Sequence, residues 1–362
     1  MEDTKLQMAF AAIDKTLVSS IPEPTQDTYR NKDYVYWGVD NKYPQYLWDL
    51  FNDVTTLKTI VEGTSDFVCG DEARCNIDGF GVRMNRKGDT LSDLIKWIDR
   101  DYNIYGGFAL QIVRSIKGDV AEIYYVDFRY LRTDRKNESF WYSEDFDKPY
   151  VRKTKAVLYP KFVPGGDAPS SIIYVKNINT LPYPIPRYSG AITDCEIERS
   201  VSKMHLNSLE NGFMPSYILS FLNGVPSDEQ KAEIEKNIQE KFCSVNNAGR
   251  VLLNFADGEA NSTKVEKLSI EDFGERYKSC AERAQQQIYC AFQAIPQLFG
   301  CMRLSSATGF SQQEFEEAYK LYSSTVVRSQ QRLIANAFDK IFGVNGSITI
   351  DTFKLGDNTN VD

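Results

Sequence analysis

Residues 271–342 carry two runs of apolar residues at helical spacing with a proline and glycines between them, and this pairing narrows the possible folds more than any other feature. In the first run Phe273, Tyr277, Cys280, Ala284, Ile288, Ala291, Phe292 and Ile295 recur at steps of three and four, which predicts one helical stripe. Pro296 cannot continue that helix, and Gly300 and Gly309, with Ser305, Ser306 and Thr308 between them, predict an irregular loop. A second helix starts near Ser311. Its positions Phe315, Ala318, Tyr319, Tyr322, Val326, Leu333, Ile334, Ala337, Phe338 and Ile341 keep the period until Gly343 offers a C-terminal stop. Each stripe needs a surface to cover it.

Charge along this stretch is uneven. Across 284–313 the only residue with a fixed charge is Arg303, although both flanks are densely charged. A neutral but polar surface, with Gln285, Gln286, Gln287, Gln293 and Gln297, suits the passage of a charged polymer that must not be held. A buried helix followed by a mobile loop explains the same residues, and neutral amphipathic helices are common core elements.

A chain of 362 residues can hold two or three domains with real cores. No apolar run approaches the length of a membrane span. Glu2, Asp3 and Lys5 precede only a short amphipathic segment, so neither a signal peptide nor a transmembrane anchor is expected. Cys69, Cys75, Cys195, Cys243, Cys280, Cys290 and Cys301 are odd in number, widely spread and without a C-x-x-C pair. They read as reduced, partly buried thiols, with no zinc site and no disulfide framework. A net charge of −8 argues against a protein that grips nucleic acid, because such grip comes largely from Lys and Arg displacing counterions. It leaves open a protein that DNA merely passes through. His205 is the one histidine, which excludes a two-histidine zinc site; with no serine elbow nearby it reads as structural.

Taken in order, residues 4–17 suit a short helix, followed by a polar, proline-containing linker. The aromatic-rich stretch 36–51 reads as an anchoring wall that leads into a helix over 56–67. Another helix over 91–102 stops at Gly106-Gly107. A hairpin follows, 108–113 with 120–126 around Lys117-Gly118-Asp119, and short strands are expected at 139–142, 156–159 and 172–175. The first half is therefore α+β, an antiparallel sheet with helices beside it. A helix over 191–211, striped by Ile197, Val201, Met204 and Leu209, precedes a small β-α-β-β unit: strand 216–222, a helix opened by the capping box at Ser227 and running to about 242, and strands 249–255 and 264–270. That unit is a knob carried between two helical struts, each roughly 30 Å long or more.

Several stretches, in this order, resemble the portal proteins of tailed bacteriophages. They are Trp37-Gly-x-Asp-Asn-x-Tyr-Pro-x-Tyr-Leu47, the helix ending in Gly106-Gly107 before a hairpin, Tyr188-Ser-Gly-Ala-Ile192, Asn211-Gly-Phe-Met-Pro-Ser216, Asn246-Asn-Ala-Gly-Arg250, and Gln287-Ile-x-x-Ala-Phe-x-x-Ile-Pro-x-Leu-x-Gly300. The likeness covers 37–342. It implies a portal-like α+β fold: an N-terminal arm (1–35), a wing domain with antiparallel sheet and helices (36–190), a first stem helix (191–212), a small α/β clip (213–270), a second stem helix (271–296), a tunnel loop (297–311), a long helix returning to the wing (312–343) and a short C-terminal strand and tail (344–362) in place of the helical crown of larger portals.

The resemblance also implies a function. Family members form a homo-oligomeric ring, typically a dodecamer, at one capsid vertex of the virion, assembled in the bacterial host cytoplasm. Double-stranded DNA is packaged and ejected through its channel. Implied partners are the terminase large subunit, the head-tail adaptor and the major capsid or scaffolding protein, with no membrane, cofactor or metal and no enzymatic activity. Arg303, Ser305, Ser306 and Thr308 of the loop would face DNA, with Arg303 repeated as a basic belt that brakes backward slip. Asn223, Asp228, Glu229, Asn246 and Asn247 of the clip would face terminase or adaptor.

Two other readings are open to the same residues. Asp101, Asp127, Asp134 and Glu138 could hold magnesium for a nuclease, since carboxylates alone suffice, although fifty acidic residues make some clustering expected. Asp78-Gly-Phe-Gly81 lacks the third glycine and following helix of a dinucleotide fingerprint, and no G-x-x-x-x-G-K-[ST] occurs, so the chain is not itself an NTP-driven motor. Another virion ring or adaptor protein is the remaining alternative.

Overall fold

Apolar side chains cluster most densely in the first 200 residues and in the last third of the chain, and these segments share one core. The computed structural model describes residues 26–27, 34–147, 155–210, 217–221, 251–255, 270–300 and 312–353. The chain divides into a larger unit, Ile21–Glu196 with Ala284–Asp362, and a smaller one, Met1–Ser20 with Ile197–Arg283.

In the larger unit, β1 (Gln26–Asp27) pairs antiparallel with β2 (Tyr36–Trp37). Helix α1 (Tyr43–Asp53) follows, opened by a proline in its first turn, and α2 (Thr55–Cys69) comes directly after it. The aromatic stretch that reads as a wall is thus itself a helix: Tyr43, Leu47, Leu50 and Phe51 are buried at helical spacing. Strand β3 (Ala73–Cys75) leads toward α3 (Leu91–Tyr105). Thr90 and Asp93 form a reciprocal capping box at the start of α3, and Gly106, in the left-handed region, ends it. A side chain at Gly106 would place its Cβ 2.3 Å from the Ile185 carbonyl oxygen, so glycine there also lets two backbones meet.

The hairpin is present as β4 (Gly107–Arg114) and β5 (Val120–Val126), with a register shift at Val113/Arg114. A 3-10 turn (Phe128–Tyr130) precedes β6 (Leu131–Thr133), β7 (Ser139–Tyr142) and β8 (Val157–Pro160), and β9 (Ser170–Lys176) follows. Two three-stranded antiparallel sheets result, in the orders β5-β4-β9 and β6-β7-β8. Helix α4 (Ile192–Glu210) leaves this unit after a short 3-10 turn.

In the smaller unit β10 (Tyr217–Phe221) and β11 (Val251–Phe255) pair in parallel, which requires a crossover of the kind expected for 227–242. That helix and all but the last residue of the strand expected at 264–270 lie outside the described residues, as do 4–17 and the C-terminal tail; Ile270 itself is helical. Helix α5 (Ile270–Phe292) returns the chain to the larger unit. The helix expected over 312–343 is present but not uniform: α6 (Gln312–Tyr322) and α7 (Arg328–Phe342) are joined by a π-helical turn, Ser323–Val327. Strand β12 (Ile348–Ile350) then pairs antiparallel with β3, within 344–362, where a short C-terminal strand and tail are expected.

Candidate functional site

The two struts start from covered ends. On α4 Ile192, Cys195 and Glu198 are buried at helical spacing, while Ile197, first of the expected stripe, is 37% exposed and Leu206 is 55% exposed. Val201 and Met204 are half-buried, and Leu209 lies beyond the side chains described. On α5 Ala284, Ile288, Tyr289 and Phe292 are buried, whereas Lys278, Ser279 and Cys280 are exposed. Cys280 and Cys290 are therefore exposed thiols rather than partly buried ones. His205, read as structural, is likewise exposed. Cys69, Cys75 and Cys195 are half-buried or buried, as expected.

The neutral segment is fixed where it enters the core. Its helix stops at Phe292, earlier than Pro296 would require, because Gln293 adopts φ 53 and the chain closes in a Schellman pattern. The Gln293 N–H donates to the Cys290 carbonyl (3.0 Å) and the Ala294 N–H to the Tyr289 carbonyl (2.9 Å). Gln293 holds this left-handed position while its Oε1 accepts from Arg187 Nη2 at 2.9 Å. Tyr188 stacks on Phe292 at 5.3 Å. Ile295 is extended, as a residue before proline should be, and Pro296–Phe299 form a 3-10 turn closed by Gly300 at φ 73. Gln286, Gln287 and Gln293 are exposed; Gln285 and Gln297 are half-buried.

Both ends of the loop expected at 297–311 lead back to α2. Phe299 lies so close over Gly63 that a Cβ there would meet its ring at 2.8 Å. Phe67 contacts the rings of Phe299, Tyr319, Tyr322 and Phe353 at 5.9, 5.4, 6.2 and 5.1 Å. Tyr322 OH donates to Thr64 Oγ1 at 2.7 Å, whose own proton goes to the Ile60 carbonyl. Arg303, Ser305, Ser306 and Thr308 lie outside the described residues, and so do Asn223, Asp228, Glu229, Asn246 and Asn247.

The acidic residues considered for a nuclease have other partners. Asp101 is buried, accepting from Tyr125 OH at 2.8 Å; burial first, then the neighbouring Asp127, pushes its carboxyl up to about 8. Asp127 pairs with Arg129 at 2.6 Å, and Asp134 Oδ1 accepts from the Glu138 and Ser139 amides in a turn. Among the described residues no group of three or more His, Cys, Asp or Glu could hold a metal ion, and no helix is long and apolar enough to cross a membrane.

Two buried polar networks give no sequence signal as strong as their role. Arg132, 1% exposed, donates to Asn41 Oδ1 (2.6 Å), the Asn41 carbonyl (2.7 Å) and the Arg129 and Leu131 carbonyls (2.7 and 2.8 Å). Asn41, at φ 63, also accepts from the Trp37 amide at 3.0 Å, so the Trp37-Gly-x-Asp-Asn stretch is a folding hub whose indole stacks on Tyr183 at 4.5 Å. The second joins α3 to α7. Asn103 Nδ2 donates to Asp99 Oδ2 (2.8 Å), and Gln330 Nε2 of α7 donates to Asn103 Oδ1 (2.8 Å).

A family model described as phage portal protein matches residues 83–350. An uncharacterized protein of Rickettsia bellii (strain RML369-C) is 27% identical over 189 residues, which cover 50% of this chain and 46% of that protein; the match spans about half the relative's length. Among solved structures, the neck of a native gene transfer agent particle computed with C12 symmetry superposes with a TM-score of 0.54 at 17% identity, covering 85% of this chain and 84% of that one. An HK97-family phage portal protein from Corynebacterium diphtheriae gives a TM-score of 0.53 at 10% identity, covering 84% and 95%. At such identities these likenesses are of fold.

Proposed function

The chain belongs to the phage portal protein family, and from that membership we propose that identical copies close into a ring at one capsid vertex, around a channel through which double-stranded DNA enters and leaves. The observation that carries this reading is the uncovered apolar face of the struts: Ile197 and Leu206 are exposed on α4, and α5 is exposed at Cys280. A neighbouring copy supplies the missing surface, and closed rotational symmetry supplies it to every copy at once. Twelve copies is the number we favour, by analogy with the neck computed with C12 symmetry.

The electrostatics suit passage rather than grip. Each lysine or arginine on a channel wall adds a phosphate contact to be broken at every step, and this chain combines a net charge of −8 with a stretch, 284–313, charged only at Arg303. On this reading 191–212 and 271–296 are stem helices, 213–270 is a clip that receives terminase and then the head-tail adaptor through Asn223, Asp228, Glu229, Asn246 and Asn247, and 297–311 is a tunnel loop whose Ser305, Ser306 and Thr308 face DNA. The protein acts as a conduit and not as an enzyme. It works in the virion, after assembly in the bacterial cytoplasm beside capsid or scaffolding protein.

Negative-stain microscopy of the purified full-length chain tests the reading: rings with a central hole are expected, and compact monomers at high concentration would count against it. Arg303, repeated around the ring, is the one basic belt on the loop. Arg303→Ala is expected to lower the length of DNA retained in filled particles, and unchanged packaged length and retention would remove the brake.

A further inference from the structure

Helices α6 and α7 form one rod interrupted by a wider turn. Through Ser323–Val327 the backbone is π-helical, with the Arg328 amide reaching back five residues to the Ser323 carbonyl. A π-turn holds one residue more than the α-helix needs, is rare, and often marks a working position in a helix. The two sides of this one are held differently. Helix α7 is clamped by Gln330 to Asn103 (2.8 Å), by Gln331 to the Val68 carbonyl (3.0 Å) and by buried Ile334 and Phe338. Helix α6 is held by the rings of Tyr319 and Tyr322 and by the Tyr322–Thr64 hydroxyl pair, while Leu321 is 59% exposed.

The residues at the turn suit a change of register. Ser324 Oγ and Thr325 Oγ1 donate to the Leu321 carbonyl at 2.8 and 2.9 Å, so side chains serve a carbonyl next to the widened turn. Tyr322, Ser323, Ser324 and Thr325 are four consecutive hydroxyl residues. If the surplus residue passes one step toward the N-terminus, Ser323 takes the place of Tyr322, Tyr322 takes the exposed place of Leu321, and a hydroxyl still occupies the position facing Thr64.

We propose that Ser323–Val327 is a register joint: the π-turn migrates into α6, which turns by about 100° and moves about 1.5 Å along its axis while α7 stays docked. Withdrawing the Tyr322 ring from Phe67 and Phe299 makes the shifted register the minor state of the single chain. The joint is separated from the loop expected at 297–311 by α6 alone, so its consequence for DNA rests on the portal reading; the joint itself does not.

Hydrogen-exchange mass spectrometry of the full-length chain tests it, with a variant lacking Ser324 alongside. Deleting that exposed residue removes the surplus, keeps both helices in their present seats and abolishes the migration. Wild-type amides at 321–328 are expected to exchange at least about tenfold faster than those at 334–338, and the deletion to slow them by about tenfold or more. Equal wild-type rates in the two segments, or no slowing in a variant that keeps its melting transition, overturns the joint. Should the deletion variant not fold, Tyr322→Phe decides. Exchange several-fold faster at 321–328 with unchanged rates at 334–338 supports the proposal, and unchanged exchange at 321–328 overturns it. Ring formation is read separately by microscopy, so loss of the joint and loss of the portal reading are distinct results.

Discussion

Gly63 sits in the middle of α2, where alanine would ordinarily stabilise a helix by about 1 kcal/mol. Here the Phe299 ring fills the space a methyl group would need, at 2.8 Å. Overpacking of that kind costs about 1–3 kcal/mol, so Gly63→Ala is expected to lower stability by about 1 kcal/mol net, measured by urea unfolding. Phe299→Leu in the same chain should recover part of the loss. A Gly63→Ala protein more stable than the wild type would show that Phe299 does not depend on close approach to α2. Arg132 illustrates a different residue-scale solution: a buried guanidinium with four carbonyl or amide oxygens around it and no carboxylate among them. Its partner Asn41 lies 91 positions away, which is why neither residue stands out in the sequence.

At the scale of elements, the docking of α3 against α2 and α7 carries a titratable group at its centre. Asp99 is fully buried, and burial pushes its carboxyl up to about 7, against hydrogen bonds from Ser65 and Asn103 that pull the other way. The folded chain therefore keeps a proton that the unfolded chain loses near pH 4, so Asp99's contribution is full below about pH 4 and declines as pH rises through about 7. Asp99→Asn keeps an acceptor for Asn103 and removes the charge. Its stability is expected to match the wild type at about pH 4 and exceed it at about pH 7, the gap widening by on the order of 1 kcal/mol per pH unit between them and levelling off above. An equal loss at both pH values in thermal scans would refute this. Local signals announce α3 and its hairpin well: apolar spacing over 91–102 gives the helix, Gly106-Gly107 its stop, and Lys117-Gly118-Asp119 the turn between the strands, whereas the Thr90–Asp93 capping box is seen only in the structure. They were silent on α1, whose aromatic residues suit strand and helix equally, and on the π-turn, which leaves the apolar spacing of 315–341 almost intact. The end of α5 escaped for a related reason. Pro296 was the visible stop, but the backbone had already turned at Gln293, a residue type that seldom takes a left-handed conformation.

For the whole molecule, α4 and α5 are the legible elements, because apolar residues at steps of three and four can be read from spacing alone. The loop and clip residues that would touch DNA and terminase have no such periodicity and stand only on the family resemblance. The strut faces also supply the sharpest test of assembly. Ile197 and Leu206 are exposed in the single chain, so replacing them removes no core contact of the larger unit. Each is worth about 1.5–3 kcal/mol when covered, and a ring repeats that contribution at every interface. Ile197→Glu with Leu206→Glu is thus expected to leave the thermal unfolding of the monomer within about 1 kcal/mol of the wild type while abolishing rings in sedimentation and negative-stain images. Two outcomes would count against the strut interface: rings of normal diameter from the double variant, which would show that these side chains do not hold the ring, or a variant that fails to fold at all, which would show that they already have partners within one chain.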